Sequence, residues 1–348
     1  MKKIHIIIFS LLAFSCADKV KNDRLPSLIK FNNHTKLSGK LYGEETLSGR
    51  PMRLEVMGSS LLIFWPGGDC AVKTLNVADG TNERCIMRLG RGPDEYTQAP
   101  HFVGRNDTDS TLTVYDSSIS LMRNLKWSEM DGVFRTQVIS ERGVHQGMRR
   151  PLRLHRMDNG YFVAQPLNVE NGNILFLLDE EWRVVTDFCN PLRDSIVDSK
   201  WRFQGFMHSA GNKFVYATLN FGYIGCFDIS DSGQITTDWE YILTTPIYAV
   251  ESGNLKIDYE KTPEGFYEVR VTDKYVYALH SGRIFDAQNQ VRPKNLLVFS
   301  HDGEPIVDIE LEGEHNGLAV SSDGRTVYRL SEDDGRLVRF DLSEVLPD

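Results

Sequence analysis

Four histidines occupy corresponding places in the chain, in or beside the first strand of four different β-rich repeats. They are His101, His155, His208 and His315. Neutral imidazole is a common ligand of transition metals. If the first strands surround one axis, the four rings converge there and can hold a divalent metal. The alternative is that strand alternation or unequal depth separates the rings, which then only hydrogen-bond water in a polar channel. No other cofactor is expected.

Carboxylates offer a second kind of chemistry. Glu264 and Glu268 lie near the start of one repeat, and Asp94 and Glu95 are adjacent in a turn. Paired carboxylates can hold different pKa values and divide the work of acid and base. The chain contains 48 Asp and Glu residues, so solvated surface carboxylates are the favoured interpretation. There is no G-x-S-x-G motif for a nucleophilic serine.

The elements that would position these residues are short β-strands in a repeat of about forty to fifty residues. Each copy has a short strand, a Tyr- or Phe-rich strand, a third strand and a final alternating strand, separated by turns such as Asp-Gly. Four strands of this kind make one blade of a β-propeller. The copies span residues 54–90, 101–140, 152–189, 206–243, 267–311 and 317–342.

The sixth copy is one strand short, which is the sharpest topological clue. An early segment, either SLIKFNN at 27–33 or KLSGKLYG at 36–43, can supply the missing outer strand and close the ring. The sequence therefore predicts an all-β fold, a six-bladed β-propeller over 27–348 closed by an N-terminal strand that completes the last blade. A pair of β-sandwich domains is the alternative, but it does not explain a missing last strand matched by a spare first one.

The amino terminus has the pattern of a bacterial lipoprotein signal. Lys2 and Lys3 precede an apolar run over residues 4–14, and Ser15 precedes Cys16. We expect residues 1–15 to be a signal peptide, Cys16 to be the site of lipid attachment and residues 16–26 to be a polar tether. An ordinary cleaved signal peptide or an uncleaved anchor are the alternatives. The expected location is the bacterial cell envelope, with the lipid in the outer membrane and the body periplasmic or surface-exposed.

Charge and cysteine content limit the function classes further. The formal net charge is -9 and no block of Lys and Arg stands out, so no nucleic-acid partner is expected. Cys70, Cys85, Cys189 and Cys226 form no CxxC pair and do not resemble a zinc site. Cys70 and Cys85 are the only two close enough to be adjacent across a hairpin, and the sequence leaves open whether they are oxidised or are buried free thiols.

One octapeptide carries a family resemblance. LGRGPDEY at 89–96 resembles the GRGPGEY signature of the TolB-like six-bladed propeller lipoproteins of Bacteroidetes, with Asp94 where that family usually has Gly. The resemblance implies the propeller fold and an envelope location, and it implies no settled catalytic activity. The glycines and proline favour a rigid bend between blades at the channel mouth. Arg91 and Glu95 are then either ligand contacts or, as we favour, residues that hold the bend.

Taken together, the sequence favours a lipid-anchored binding or interaction module over an enzyme. The expected ligand is a peptide, protein or glycan at the channel mouth, and the membrane is contacted through the lipid. The competing prediction is a metal-dependent lyase or hydrolase that acts on a sugar or lactone in the central channel, because propellers host both classes.

Overall fold

Six β-sheets form a ring in the computed structural model, which confirms the predicted six-bladed β-propeller. The structure describes residues 25–43, 53–64, 69–92, 94–106, 109–130, 133–143, 151–166, 172–196, 200–286, 292–332 and 335–347. The predicted signal peptide, Cys16 and most of the tether lie outside these ranges. None of the described residues forms a helix with the length and hydrophobicity that a membrane span requires.

The first three blades each consist of four consecutive antiparallel strands. Blade 1 contains β4 (Arg53–Met57), β5 (Ser60–Phe64), β6 (Cys70–Asn76) and β7 (Arg84–Arg88). Blade 2 contains β8 (His101–Asn106), β9 (Thr111–Asp116), β10 (Leu121–Met130) and β11 (Val133–Gly143). Blade 3 contains β12 (Arg153–Arg156), β13 (Phe162–Gln165), β14 (Leu175–Leu178) and β15 (Val184–Phe188).

The last three blades each recruit one strand from the amino-terminal segment. Blade 4 contains β16 (Gly205–Ala210), β17 (Lys213–Thr218), β18 (Tyr223–Ile229) and β19 (Ile235–Ile242), with β1 (Ser27–Leu28) added at its edge. Blade 5 contains β22 (Phe266–Val271), β23 (Tyr275–His280), β24 (Asn295–Ser300) and β25 (Pro305–Leu311), with β2 (His34–Leu37) added. Blade 6 contains β26 (His315–Val320), β27 (Thr326–Ser331), β28 (Leu337–Asp341) and β3 (Lys40–Tyr42).

The amino-terminal segment therefore runs along the outside of three neighbouring blades. β1 and β2 pair in parallel with the outermost strands β19 and β25 as fifth strands. β3 pairs antiparallel with β28, placing Leu337 opposite Tyr42, and it is the fourth strand of blade 6. Of the two segments proposed to supply that strand, the second one does so, whereas the first one extends blade 4.

Six hydrophobic clusters fill the six junctions between neighbouring blades. One example joins Val215 of blade 4 to Val269 of blade 5, and another joins Leu330 of blade 6 to Leu61 of blade 1. Strand alternation produces this arrangement because successive side chains point to opposite faces of each sheet and so toward different neighbours. Fully burying a side chain of this size stabilises the fold by about 1.5–3 kcal/mol, so the junctions hold the ring together.

The segment between blades 4 and 5 forms a separate hairpin of β20 (Tyr248–Glu251) and β21 (Asn254–Ile257). Its buried residues Tyr248 and Leu255 join the cluster between blades 3 and 4. A short 3-10 helix, Lys200–Phe203, lies against β21, where the Arg202 side chain donates a hydrogen bond to the carbonyl oxygen of Leu255.

Blade 1 contains a disulfide bond between Cys70 and Cys85, which lie on the neighbouring strands β6 and β7 with their α-carbons 5.8 Å apart. Cys189 and Cys226 are buried free thiols. Burial raises the pKa of the Cys226 thiol to about 12 and raises that of Cys189 further, so neither cysteine is a thiolate near neutral pH.

Candidate functional site

The innermost strands β4, β8, β12, β16, β22 and β26 surround a central channel with a cavity at each end. The larger one, here the central cavity, has a volume of about 690 Å³. It is lined by the ends of the innermost strands and the turns after them, within residues 55–58, 102–106, 155–158, 208–211, 270–273 and 320–322. The smaller one, of about 70 Å³, is lined by the beginnings of several of the same strands.

Two arginines and two glutamates lie between these cavities, and we call Arg53, Glu55, Glu268 and Arg270 the channel ion network. Arg53 Nε pairs with Glu55 Oε1, Arg270 Nη2 lies 3.4 Å from the same oxygen, and Arg270 Nη1 lies 2.7 Å from Glu268 Oε1. Arg270 also donates to the carbonyl oxygen of Leu54 over 2.8 Å. The network joins blades 1 and 5 across the channel and forms the floor of the central cavity.

Charge pairing keeps Glu55 and Arg270 ionised despite their burial. Burial alone would raise the pKa of the Glu55 carboxyl, but Arg270, Arg53 and His208 lower that pKa well below its usual range. For Arg270, burial opposes the charge, whereas Glu268 and Glu55 raise the pKa of the guanidinium above its usual value. A buried charge is tolerated only when it is paired in this way.

His155 and His208 lie together in the cavity wall, with ring centroids 5.8 Å apart. His208 Nδ1 accepts a hydrogen bond from the Val271 amide over 3.2 Å, so Nε2 carries the proton and faces Glu55 Oε2 at 4.0 Å. Burial lowers the pKa of His208 to about 4 and lowers that of His155 well below its ordinary value. Both rings are therefore neutral near pH 7 and act as hydrogen-bonding groups.

Ser209 completes this side of the wall. Its Oγ lies 2.7 Å from His155 Nε2, while His155 Nδ1 is buried with no hydrogen-bond partner among the described residues. His155 is only 3% exposed. A buried imidazole nitrogen without a partner is costly, so His155 is held in the wall at some cost in stability.

The other two predicted histidines lie elsewhere, so the structure does not assemble a four-histidine centre. His101, at the beginning of β8, lines the smaller cavity, and His315 packs edge-on against Phe340 at 5.4 Å within blade 6. His101 and His315 are the first residues of β8 and β26, whereas His155 and His208 lie further along β12 and β16. Across the described ranges, no three His, Cys, Asp or Glu side chains are placed to share a metal ion.

Arg91 and Glu95 lie in the bend between blades 1 and 2 and line neither channel cavity. Glu95 Oε2 accepts a hydrogen bond from the Gly92 amide over 2.7 Å, and the Glu95 carbonyl accepts one from Arg123 over 2.8 Å. Arg91 is exposed. The bend lies at the end of the channel where the innermost strands begin, whereas the central cavity opens at the opposite end.

Sequence reasoning missed the arginines of the innermost strands. The six strands together carry Arg53, Arg105, Arg153, Arg156 and Arg270 but only two acidic residues, Glu55 and Glu268, and no Lys or Asp. The available signal was the recurrence of Arg in the first strand of the first, second, third and fifth repeats. The net charge of the whole chain, -9, gives no indication of this local excess of arginine.

The fold and the cavity define a class of protein: a six-bladed propeller with a polar cavity on its axis that the channel ion network closes at one end. The chain belongs to the family described as TolB-like 6-blade propeller-like, whose sequence profile matches residues 31–323. No curated protein sequence gives a significant match.

One solved structure shows the same fold at low sequence identity, and two others align with lower TM-scores. A Bacteroides fragilis protein that is predicted to be exported aligns at a TM-score of 0.57 and 12% identity, covering 90% of this chain and 99% of its own. A Lactobacillus plantarum protein aligns at 0.47 and 12%, covering 88% and 86%. The Cps50 β-propeller domain of Myceliophteria thermophila aligns at 0.48 and 10%, covering 88% and 100%.

Proposed function

We propose that this protein is a lipid-anchored, extracytoplasmic binding module that holds part of a peptide, protein or glycan in the central cavity. The observation that carries the proposal is the cavity itself, about 690 Å³ in volume, with polar groups converging from all six blades. Cavities of this size suit small ligands or the end of a larger one. The channel ion network supplies a floor, so a ligand enters from one face only.

The disulfide supports a location outside the cytoplasm. Disulfides such as Cys70–Cys85 persist in oxidising compartments and are rare in the cytosol. The predicted export of the structurally similar Bacteroides fragilis protein agrees with this location. Cys16 would attach the chain to the outer membrane of the cell envelope through its lipid, with residues 16–26 as the tether.

Binding is favoured over the metal-dependent lyase or hydrolase because of the arrangement of the polar side chains. That alternative rested on four converging histidines, and only His155 and His208 share a wall. Glu268, a candidate acid or base, is instead engaged by Arg270 in the floor of the cavity. The groups that remain around the cavity are suited to hydrogen bonding and charge pairing.

The experiment is a binding screen with a cavity-filling variant. The processed protein is applied to arrays of envelope glycans and peptides, beside an Ala210→Trp variant and a Ser232→Trp control. Ala210 lines the cavity, whereas Ser232 lies exposed in a turn of blade 4. We expect ligands retained by the wild type and the control to be lost from Ala210→Trp. Retention by the folded Ala210→Trp protein would place the binding site elsewhere.

A further inference from the structure

The innermost strands that line the channel carry a net positive charge, opposite in sign to that of the whole chain. The chain is acidic overall, at -9, yet its six innermost strands hold five arginines against two glutamates. A cleft lined by one sign of charge with low-dielectric walls concentrates ions of the opposite sign. The arginines therefore need to be divided by where they lie and what they contact.

Three of the five arginines are engaged away from the central cavity or in its floor. Arg53 and Arg270 belong to the channel ion network with its two glutamates. Arg153 lines the smaller cavity, where its guanidinium lies 5.3 Å from the centre of the Phe206 ring. The remaining two, Arg105 and Arg156, line the central cavity from adjacent blades.

Arg105 and Arg156 differ in their surroundings. Arg105 reaches toward blade 1, where its Nη1 donates to the carbonyl oxygen of Val56 over 2.5 Å. Arg156 lies on blade 3 close to β8: a β-carbon at Gly104 would lie 2.8 Å from the Arg156 carbonyl oxygen and 2.9 Å from its β-carbon. Arg156 is half-buried and has no hydrogen-bond or ion-pair partner among the described residues.

The acidic residues at the rim of the cavity are more exposed to solvent than Arg156. Asp158 and Asp273 are exposed at the rim, and Asp158 already accepts a hydrogen bond from the Gly211 amide over 2.9 Å. Solvent and salt screen exposed charges far more than half-buried ones. The adjoining wall of blades 3 and 4 presents neutral groups, among them Ser209 and the His155 ring to which it is hydrogen-bonded.

We infer that the central cavity recognises a small polar ligand through an anionic group, a carboxylate or a phosphate, which Arg156 binds while Ser209 contacts the neutral part. Guanidinium groups suit this task because their planar donors match both oxyanions. This inference rests on the proposed function and adds the chemical class of the ligand.

The test uses ligands that share one ring and differ in charge. D-glucuronate, D-glucose 6-phosphate and D-glucose are titrated calorimetrically into the processed wild-type protein at low salt, with inorganic phosphate as a probe of the cationic wall alone. We expect millimolar or tighter binding of at least one anion, weaker binding as salt rises, and no binding of glucose at the same concentrations. Comparing the affinities for glucuronate and glucose 6-phosphate distinguishes recognition of a carboxylate from recognition of a phosphate.

Matched variants locate the binding. Arg156→Gln should weaken binding of the anion at least about tenfold. Arg156→Lys should weaken it by less, because lysine keeps the charge and loses only the planar donors. Arg135→Gln, which removes an exposed arginine from β11, should leave affinity unchanged. Circular dichroism and thermal unfolding establish that each variant is folded. If Arg156→Gln does not fold, Arg156→Lys replaces it in the comparison.

Three outcomes would overturn the inference: no response to any of the three anions, equal affinity for glucose and glucuronate, or undiminished anion binding by folded Arg156→Gln and Arg156→Lys. These outcomes are distinct from failure of the proposed function. If Ala210→Trp abolishes binding of a neutral array ligand while anions do not bind, the binding module stands and only the anionic ligand class is rejected.

Discussion

At the scale of single residues, the channel ion network is the feature whose chemistry is most demanding. Glu55 and Arg270 have side chains only 6% and 4% exposed, so each depends on the other for charge compensation. Burial of an ion pair adds little net stability over an apolar pair of similar volume, but removal of one partner leaves the other as an uncompensated buried charge. The network therefore fixes the geometry of the cavity floor more than it stabilises the fold.

Glu55→Gln should lower the free energy of unfolding by about 3 kcal/mol at pH 7, because Arg53 and Arg270 lose their shared carboxylate. The folded-state pKa of Glu55 lies below its ordinary 4.5, so its contribution is complete above that value and is lost as pH falls through the folded pKa. Urea unfolding at several pH values should show the difference from wild type shrinking below about pH 4.5.

The control is Glu310→Gln, which removes one carboxylate of a surface pair with Lys36 in which both side chains are more than half exposed. A loss below about 1 kcal/mol is expected there. If Glu55→Gln costs no more than this control at pH 7, the ion network does not have the structural role assigned to it.

Part of the candidate site was predictable at this scale and part was not. Placing His155 and His208 on first strands was enough to bring them to the channel, because period-two alternation and repeat position are local properties. The height of a residue along the channel depends on strand bounds, which the repeat pattern gives only approximately. His101 and His315 were misplaced for that reason, and Arg156 was overlooked because its lack of a partner is visible only in three dimensions.

At the scale of elements, the bend after β7 shows how the LGRGPDEY segment works. Gly90 leaves room for the Glu95 carboxylate: a β-carbon there would lie 1.9 Å from Glu95 Oε2, so the carboxylate would have to move. The Arg123 guanidinium lies 4.5 Å from the centre of the Tyr96 ring and also pairs with Glu141 over 2.6 Å. The bend is thereby tied to β10 and β11 of the next blade, so this contact network positions blade 2 against blade 1.

The disulfide is the covalent link within blade 1, and its removal tests both stability and compartment. The Cys70→Ser/Cys85→Ser double variant should unfold at lower denaturant, with a loss of about 3 kcal/mol, because the bond closes a loop with a sequence separation of 15. Alkylation of protein purified from the envelope should modify Cys189 and Cys226 only after denaturation and leave Cys70 and Cys85 unmodified without reductant.

The Cys226→Ala variant is the control for loss of a cysteine outside the disulfide. It should leave the alkylation of Cys70 and Cys85 unchanged. Ready modification of Cys70 and Cys85 in the protein isolated from cells would show a reduced pair and remove the main support for an oxidising location.

Most strands of the six repeats were predictable because each pairs with its neighbour in sequence through short turns. β1 and β2 were not, since they pair in parallel with strands more than two hundred residues away. Their own patterns give little signal: both residues of β1 are exposed, and β2 alternates between exposed and intermediate residues. Such edge pairings depend on where the assembled ring leaves an open strand.

At the scale of the whole molecule, charge acts on two levels. The outer surface makes the protein acidic, which disfavours binding of polyanions to its exterior. The innermost strands carry the opposite sign, so a small anion reaching the axis meets a local field that the total charge does not reveal. Net charge therefore supports the exclusion of nucleic acid as a partner while saying nothing about ligands that fit inside the channel.

Ring closure is the property of the whole molecule that truncation can test. Removal of residues through 38 deletes β1 and β2, and removal through 43 also deletes β3. The first truncation should cost about 2 kcal/mol, chiefly for Phe31, which packs 5.1 Å from Phe299, and should keep a single cooperative transition. The second leaves β28 as an unpaired edge and removes the chain beside Phe340, so it should cost at least twice as much.

Thermal unfolding and size-exclusion chromatography of both truncated proteins measure these effects. The longer deletion should broaden the transition and produce dimers or larger species, because an exposed strand edge pairs with other chains. The shorter deletion leaves every blade with four strands and should remain monodisperse if the wild type is. Equal melting temperatures and elution volumes for the two proteins would mean that β3 does not close the ring in solution, since only the longer deletion removes it.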